Sequence, residues 1–288
     1  MVVTVGFFDG VHLGHRRVLR SLLERGEQVA VITFWPHPRV VLQQDAHSLA
    51  LLNTREEKMA RLQGLGINDI RCLDFTLEMS RLSAEEFIRD ILVGELGCTE
   101  LVLGHDNRLG CDGLCTEDIA QLAKKMGLKV EVVPSFQYKD IGISSTRIRQ
   151  AICEGDVALA AELLGYRYPL SGIVVRGNQI GRTIGFPTAN IKPSFPLKAV
   201  PGNGVYAVDV IVNGKKYKGM TNIGTRPTVG DNLETVIETN IFDFDEDIYG
   251  MEITVEFIDR VRNEKKFASL DELAGQLKID KHRCYGYN

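Results

Sequence analysis

Along residues 1–165, short β-branched apolar runs alternate with stretches whose apolar positions recur at helical spacing. Residues 2–5 predict a buried strand and 6–14 a glycine-punctuated loop. Across 16–25, Val18, Leu19, Leu22 and Leu23 fall on one helical face. Residues 28–34 predict a second strand, ended by Trp35-Pro36-His37-Pro38, whose two prolines bar a helix interior. A helix over 54–65 and a strand over 69–73 follow. Ser83-Ala84-Glu85-Glu86 reads as a cap with an acidic first turn, opening a helix to about 96. Then come a strand over 101–103, a helix over 116–126, a strand over 129–133 and a helix after Ser144-Ser145-Thr146, with 154–164 as the last helix. Strand alternating with helix predicts an α/β domain with a mainly parallel sheet covered on both faces.

The pattern changes near Tyr166. Residues 172–175, 205–212, 215–221, 236–241 and 253–257 are short β-rich pieces, several separated by glycine turns. Asn213-Gly214 between two of them is a hairpin signal, because both positions of the favoured tight turn need positive φ. Only 270–277 reads as a clear helix, with Ser269 as its cap. The expectation is an antiparallel β-barrel with a C-terminal helix, and a chain divided into 1–165 and 166–288.

Composition narrows the field. Of 288 residues, 44% are hydrophobic and 25% charged, which excludes collagen-like, disordered and disulfide-scaffold chains. Thirty-four Lys and Arg against 38 Asp and Glu give a net charge of -4, so no nucleic-acid partner is expected. No apolar run reaches the ~18 residues of a membrane span, so no membrane partner is expected either. The opening residues lack a basic segment before an apolar one, and six scattered cysteines form no C-x-x-C pair. Both features point to a cytoplasmic protein with free thiols. Cys111 and Cys115 lack a second ligand pair and read as structural.

Against that background, Gly6-Phe7-Phe8-Asp9-Gly10-Val11-His12-Leu13-Gly14-His15 stands out. It joins the first strand to the first helix, where open α/β sheets gather ligands. Its glycines allow close approach of backbone to phosphate, and the helix start favours an anion. Two histidines near glycines are, taken alone, more often structural. The stretch resembles the G-x-F-D-G-x-H-x-G-H signature of the nucleotidyltransferase superfamily, whose H-x-G-H pair binds ATP phosphates. Ile143-Ser144-Ser145-Thr146-Arg147-Ile148-Arg149 resembles a second element of that family, offering hydroxyls and an arginine for phosphate. Thr33–Pro38, Leu82–Phe87 and Leu103–Gly110 narrow the resemblance to bacterial bifunctional riboflavin kinase/FMN adenylyltransferases, also called FAD synthetases. Asp106 matches that family, whereas Asn107 and Leu109 stand where aromatics are commoner. This loop is therefore expected to pack differently and to weaken FMN or ATP binding.

A second constellation lies in the β-rich half. Gly177-Asn178-Gln179-Ile180-Gly181-Arg182-Thr183-Ile184-Gly185-Phe186-Pro187-Thr188-Ala189-Asn190 places glycine every four residues, as a phosphate-wrapping loop needs. Thr188 and Asn190 offer oxygens of the kind Mg²⁺ takes beside substrate phosphates. Composition alone fits a ligand-free glycine hairpin equally well. The stretch is similar to the riboflavin kinase signature, and Asn222-Ile223-Gly224-Thr225-Arg226-Pro227-Thr228 resembles another kinase loop. Glu238 matches the catalytic glutamate of the same family.

The resemblance implies a Rossmann-like nucleotidyltransferase domain followed by a riboflavin kinase barrel. It implies phosphorylation of riboflavin to FMN and adenylylation of FMN to FAD, with ATP, riboflavin and FMN as substrates and Mg²⁺ as the metal. By that implication His12, His15 and Glu238 are catalytic. Gly6, Phe8, Asp9, Gly10, Asp106, Ser145, Thr146 and Arg149 hold nucleotide in the first half. Gly177, Gly181, Arg182 and Thr188 hold it in the second, with Thr188 and Asn190 as metal ligands. No flavin-binding residue is assigned. Two alternatives stay open: a chain with one working activity, and a flavin- or nucleotide-binding protein without turnover.

Overall fold

The computed structural model describes residues 1–26, 28–42, 49–139, 141–177, 180–227 and 233–287. Asn178 and Gln179 of the glycine-rich stretch, and Thr228, lie outside the described residues. In the first half β1 (Val2–Val5) runs parallel to β2 (Val29–Trp35) on one side and β4 (Glu100–Gly104) on the other. With β3 (Asp69–Asp74) and β5 (Lys129–Val133) they form a parallel sheet of order β3-β2-β1-β4-β5. Around it stand α1 (Leu13–Leu23), α2 (Pro38–Val41), α3 (Arg55–Gly64), α4 (Ala84–Glu86) and α5 (Thr116–Lys125). A two-strand pair, β6 (Gln137–Tyr138) and β7 (Ile141–Gly142), follows.

The two-residue period of a strand explains the two cores. Val31 and Val102 face one side, packing in a cluster with Leu19 and Leu22 of α1 and Leu62 of α3. Ala30, Ile32, Leu101 and Leu103 face the other, packing with Ile119 and Ala123 of α5. The central strands β1, β2 and β4 are thus buried on both faces, which is why they read as near-continuous apolar runs, whereas the edge strands β3 and β5 stay partly exposed and mixed in composition.

Three local features depart from the sequence expectation. α1 begins at Leu13 rather than 16, because His12 caps it. Ser83 and Glu86 form the reciprocal capping box, but after α4 the chain winds as a π-helix over Phe87–Glu95. Both expected helices at the end of this half are present, but the last begins at 157 rather than 154: Glu154 ends α6 (Ser145–Glu154), Gly155 turns at φ +81°, and Asp156 caps α7 (Val157–Leu164).

In the second half β8 (Pro169–Val175), β9 (Ala189–Pro193), β10 (Gly204–Val212), β11 (Lys215–Pro227), β12 (Leu233–Ile241) and β13 (Glu252–Arg262) close an antiparallel barrel of order β10-β11-β12-β9-β8-β13. Asn213 and Gly214 turn the β10–β11 hairpin at φ +50° and +76°. The sequence reading lacks β9, which was absorbed into the glycine-rich loop, and the short α8 (Ile180–Thr183). α9 (Leu270–Tyr285), capped by Ser269, packs on β11 and runs past the expected end at 277.

The compact units are Met1–Ser145 and Thr146–Asn288. The sequence puts the change at 165/166; in the structure α6 and α7 group with the barrel. α7 packs against β13, Arg260 Nη1 donates to the Glu154 carbonyl at 3.1 Å, and Gly202 N donates to Ile152 O at 3.0 Å.

Candidate functional sites

In the first unit the strand order reverses between β1 and β4, so the crevice beyond their carboxyl ends is the place for a ligand. Asn107 ties the two ends together. Its Nδ2 donates to Val5 O at 2.7 Å, and its Oδ1 accepts from Gly104 N at 2.9 Å. Leu109 packs against the core cluster on the α5 side. Asn107 and Leu109 thus have structural work of their own. Asp106, on the same loop, is exposed.

The β1–α1 loop leaves the sheet at Gly6, whose N–H donates to Ile32 O at 3.0 Å. Phe8 (φ +53°), Gly10 (φ +85°) and Val11 (φ +38°) are left-handed. A β-branched residue rarely adopts that conformation, and Val11 is held there fully buried. Asp9 is also buried; its carboxylate accepts from Leu52 N at 3.0 Å and Asn53 N at 3.1 Å, so it anchors the loop from inside. Ser145, the last residue of the first unit, donates Oγ–H to the Asp9 carbonyl at 2.9 Å and so fastens to this loop.

His12 Nδ1 accepts the His15 backbone N–H at 3.2 Å. An Nδ1 that accepts carries no proton, so in this arrangement His12 presents Nε2–H as its donor. The two imidazoles stack at 3.5 Å and 14°, and Phe8 meets His15 edge-on at 5.3 Å. Burial, then the neighbouring His12 and Lys58, holds His15 well below the ordinary histidine value. The pair therefore places imidazole N–H groups at a helix start. Thr146 and Arg149 lie on α6, the first exposed and the second half-buried. Sequence reasoning missed Lys58, which is buried beside this loop. A signal existed, since Leu62 and Leu65 follow it at i+4 and i+7.

Two cavities in the second unit are lined by described residues of the barrel and α9. One, of about 310 Å³, is lined by Arg182, Thr188, Tyr249 and the acidic run Asp245-Glu246-Asp247, among others. The other, of about 260 Å³, has Glu238, Asn222 and Arg226 at its polar side and Phe186, Met220, Phe267, Leu273 and Leu277 as apolar wall. Thr188 lines both, and Gly181 lines the second. The glycines are there for contact: a Cβ on Gly177 would lie 2.2 Å from Asn190 Nδ2, and one on Gly181 2.2 Å from Phe186 O.

The backbone brings these residues together. Asn190 on β9 pairs with Glu238 on β12, and Asn222 on β11 pairs with Glu238 from the other side. Asn240 Nδ2 donates to Pro187 O at 2.6 Å, fastening the Pro187-Thr188 turn to β12. Arg226 Nη2 donates to Glu238 Oε1 at 2.6 Å. The apolar wall on α9 was not legible from the motifs. Among the described residues no group of three or more His, Cys, Asp or Glu side chains is placed to hold a metal. No helix among them is long and apolar enough to cross a membrane.

Comparison with known proteins adds an independent line. The family model for FAD synthetase matches residues 1–147, and that for riboflavin kinase matches 164–287. A bifunctional riboflavin kinase/FMN adenylyltransferase of Bacillus subtilis is 38% identical, over 99% of this chain and 92% of its own. One from Escherichia coli K12 is 39% identical, over 97% and 90%. A crystal structure described as a macrolide-efflux protein from Streptococcus pneumoniae is 35% identical, covers 100% of this chain and 94% of its own, and superposes with a TM-score of 0.91.

Proposed function

The chain belongs to the bifunctional riboflavin kinase/FMN adenylyltransferase family, and on that premise we propose how its own residues divide the two reactions. The protein phosphorylates riboflavin to FMN and adenylylates FMN to FAD with release of pyrophosphate, using ATP in both steps.

We assign phosphoryl transfer to the barrel and adenylyl transfer to the parallel-sheet half, in the ranges 166–288 and 1–165. The observation that carries the kinase assignment is Thr188, which lines both barrel cavities while Arg182 lines one and Glu238 the other. ATP belongs on the Arg182 side, with its γ-phosphate toward Thr188. Riboflavin belongs on the Glu238 side, its ring against Phe267, Leu273 and Leu277. Glu238 accepts the ribityl hydroxyl proton as that oxygen attacks phosphorus; an alcohol ionises poorly near neutral pH and gains from a positioned base. Arg226 occupies one carboxylate oxygen and leaves the other for the substrate.

The metal we assign is Mg²⁺, on Thr188 Oγ1 and Asn190 Oδ1. Both are neutral oxygen donors, and Gly177 lacks the Cβ that would overlap the Asn190 side chain. Few protein ligands suit a cation that keeps waters and takes phosphate oxygens. When bound, it neutralises phosphate charge.

Adenylyl transfer needs less of a base. A phosphomonoester has a second pKa of about 6 and is already largely a dianion near pH 7. The β1–α1 loop then binds and stabilises charge: His12 donates from Nε2, His15 stands beside it, and the α1 start with Gly10 offers amides. Asp9 holds the loop rather than the ligand, and Ser145 joins it through the Asp9 carbonyl. The roles of Gly6, Phe8, Asp106, Thr146 and Arg149 rest on the motifs. Six free cysteines suit a reducing cytoplasm. Analysis of FMN, FAD, ADP and pyrophosphate formed from riboflavin and MgATP tests the whole assignment; FMN alone would reduce it to a kinase.

A further inference from the structure

Lys58 sits mid-helix on α3 between charged and polar neighbours, yet it is only 1% exposed. An ammonium has three N–H donors, and each is matched here. Nζ donates to Phe7 O at 3.1 Å, to Thr33 Oγ1 at 3.0 Å and to Phe34 O at 2.9 Å. Thr33 Oγ1–H donates in turn to Phe7 O at 3.1 Å, so that carbonyl accepts twice. The Phe7 ring lies 4.1 Å from Nζ and the Trp35 ring 5.6 Å.

No carboxylate pairs with Lys58 among the described residues. Taking an ammonium out of water is costly, and here three hydrogen bonds rather than a counter-charge offset that cost. Burial accordingly brings its pKa down to about 8. With all three donors engaged, the ammonium has none left for a phosphate. Its partners say what it does instead: Phe7 opens the β1–α1 loop, and Thr33 and Phe34 end β2.

We infer that Lys58 is a positioning residue for adenylyl transfer, fixing the loop that carries His12 and His15 by tying Phe7 to the end of β2. The inference rests on the assignment of His12 and His15 to that reaction. The Lys58 charge has a second consequence. After burial and His12, it is the remaining cause that keeps His15 neutral. The charged and titratable groups concerned are His12 on the loop with His15, and around Lys58 itself Asp9 from the loop, Cys72 from β3 and Arg55 from α3.

The test uses the full chain, whose riboflavin kinase activity is an internal control. Lys58→Met should lower kcat/KM for FAD formation from FMN at least tenfold while FMN formation stays within twofold. It should also move the acid limb of the FAD-forming pH profile to higher pH, since His15 regains proton affinity. Lys58→Arg, which keeps the charge, should restore the acid limb. FAD formation and acid limb both unchanged in Lys58→Met would overturn the inference. If Lys58→Met fails to fold, Thr33→Val decides: a fall in FAD formation with FMN formation intact supports the inference, and no fall overturns it. His15→Ala separates the two layers. Undiminished FAD formation there sinks the site assignment, whereas its loss beside a normal Lys58→Met sinks the role of Lys58 alone.

Discussion

Arg226 reaches from β11 to β12 and donates Nη2–H to Glu238 Oε1 at 2.6 Å, inside the cavity walled by α9. With the Arg226 side chain 43% exposed, solvent screens the pair, which contributes about 1 kcal/mol. It fixes the carboxylate that the kinase step relies on.

Arg226→Gln should therefore lower kcat for FMN formation by about fivefold, the kinetic equivalent of that bond. FAD formation from supplied FMN should not change. Steady-state assays of the two half-reactions check this, and an undiminished kinase kcat would show that Glu238 needs no such support.

Gly177→Ala places a Cβ where the Asn190 side chain now lies, 2.2 Å from Nδ2. The side chain must move, so we expect the kinase KM for ATP to rise about tenfold and more Mg²⁺ to be required, by an energy near 1.4 kcal/mol. Titrating ATP and Mg²⁺ against FMN formation measures both; unchanged values would remove Asn190 from the metal site.

Asn107→Ala removes the amide that bridges Val5 O and Gly104 N. Each buried group left without a partner costs about 1–3 kcal/mol. The first unit should unfold at lower urea concentration and FAD formation should become heat-sensitive, with the kinase keeping its wild-type heat resistance. Equal loss in both activities would show that the bridge is not local to the switch point.

His15 gives a pH dependence with a definite sign. Its folded pKa is lowered, so unfolding takes up a proton between that value and about 6.5. Stability from this group is present above pH 6.5 and declines as pH falls toward the folded pKa. Denaturant midpoints at pH 7.5 and 5.5 should differ more for the wild type than for His15→Gln; identical differences would refute a depressed His15.

Much of this was legible in the residues, for physical reasons. Val31 and Val102 alternate with Ala30, Ile32, Leu101 and Leu103 because a strand has period two, and the β-rich half announces its hairpin through Asn213-Gly214. What escaped depends on partners distant in sequence. β9 hides in a glycine-rich stretch because its strand character comes from pairing with β8 and β12. Lys58 reads as solvated among Arg55, Glu56 and Glu57, since its acceptors come from Phe7, Thr33 and Phe34. The α9 wall of the Glu238 cavity carries no motif, only Leu273 and Leu277 at helical spacing.

The division of labour is tested most directly by product analysis of two variants given riboflavin and MgATP, with and without added FMN. Glu238→Gln should form no FMN from riboflavin yet convert supplied FMN to FAD and pyrophosphate. The double variant His12→Ala/His15→Ala should accumulate FMN and stop there. Parallel loss of both products in either variant, or FAD formation undiminished in the histidine variant, would contradict the account.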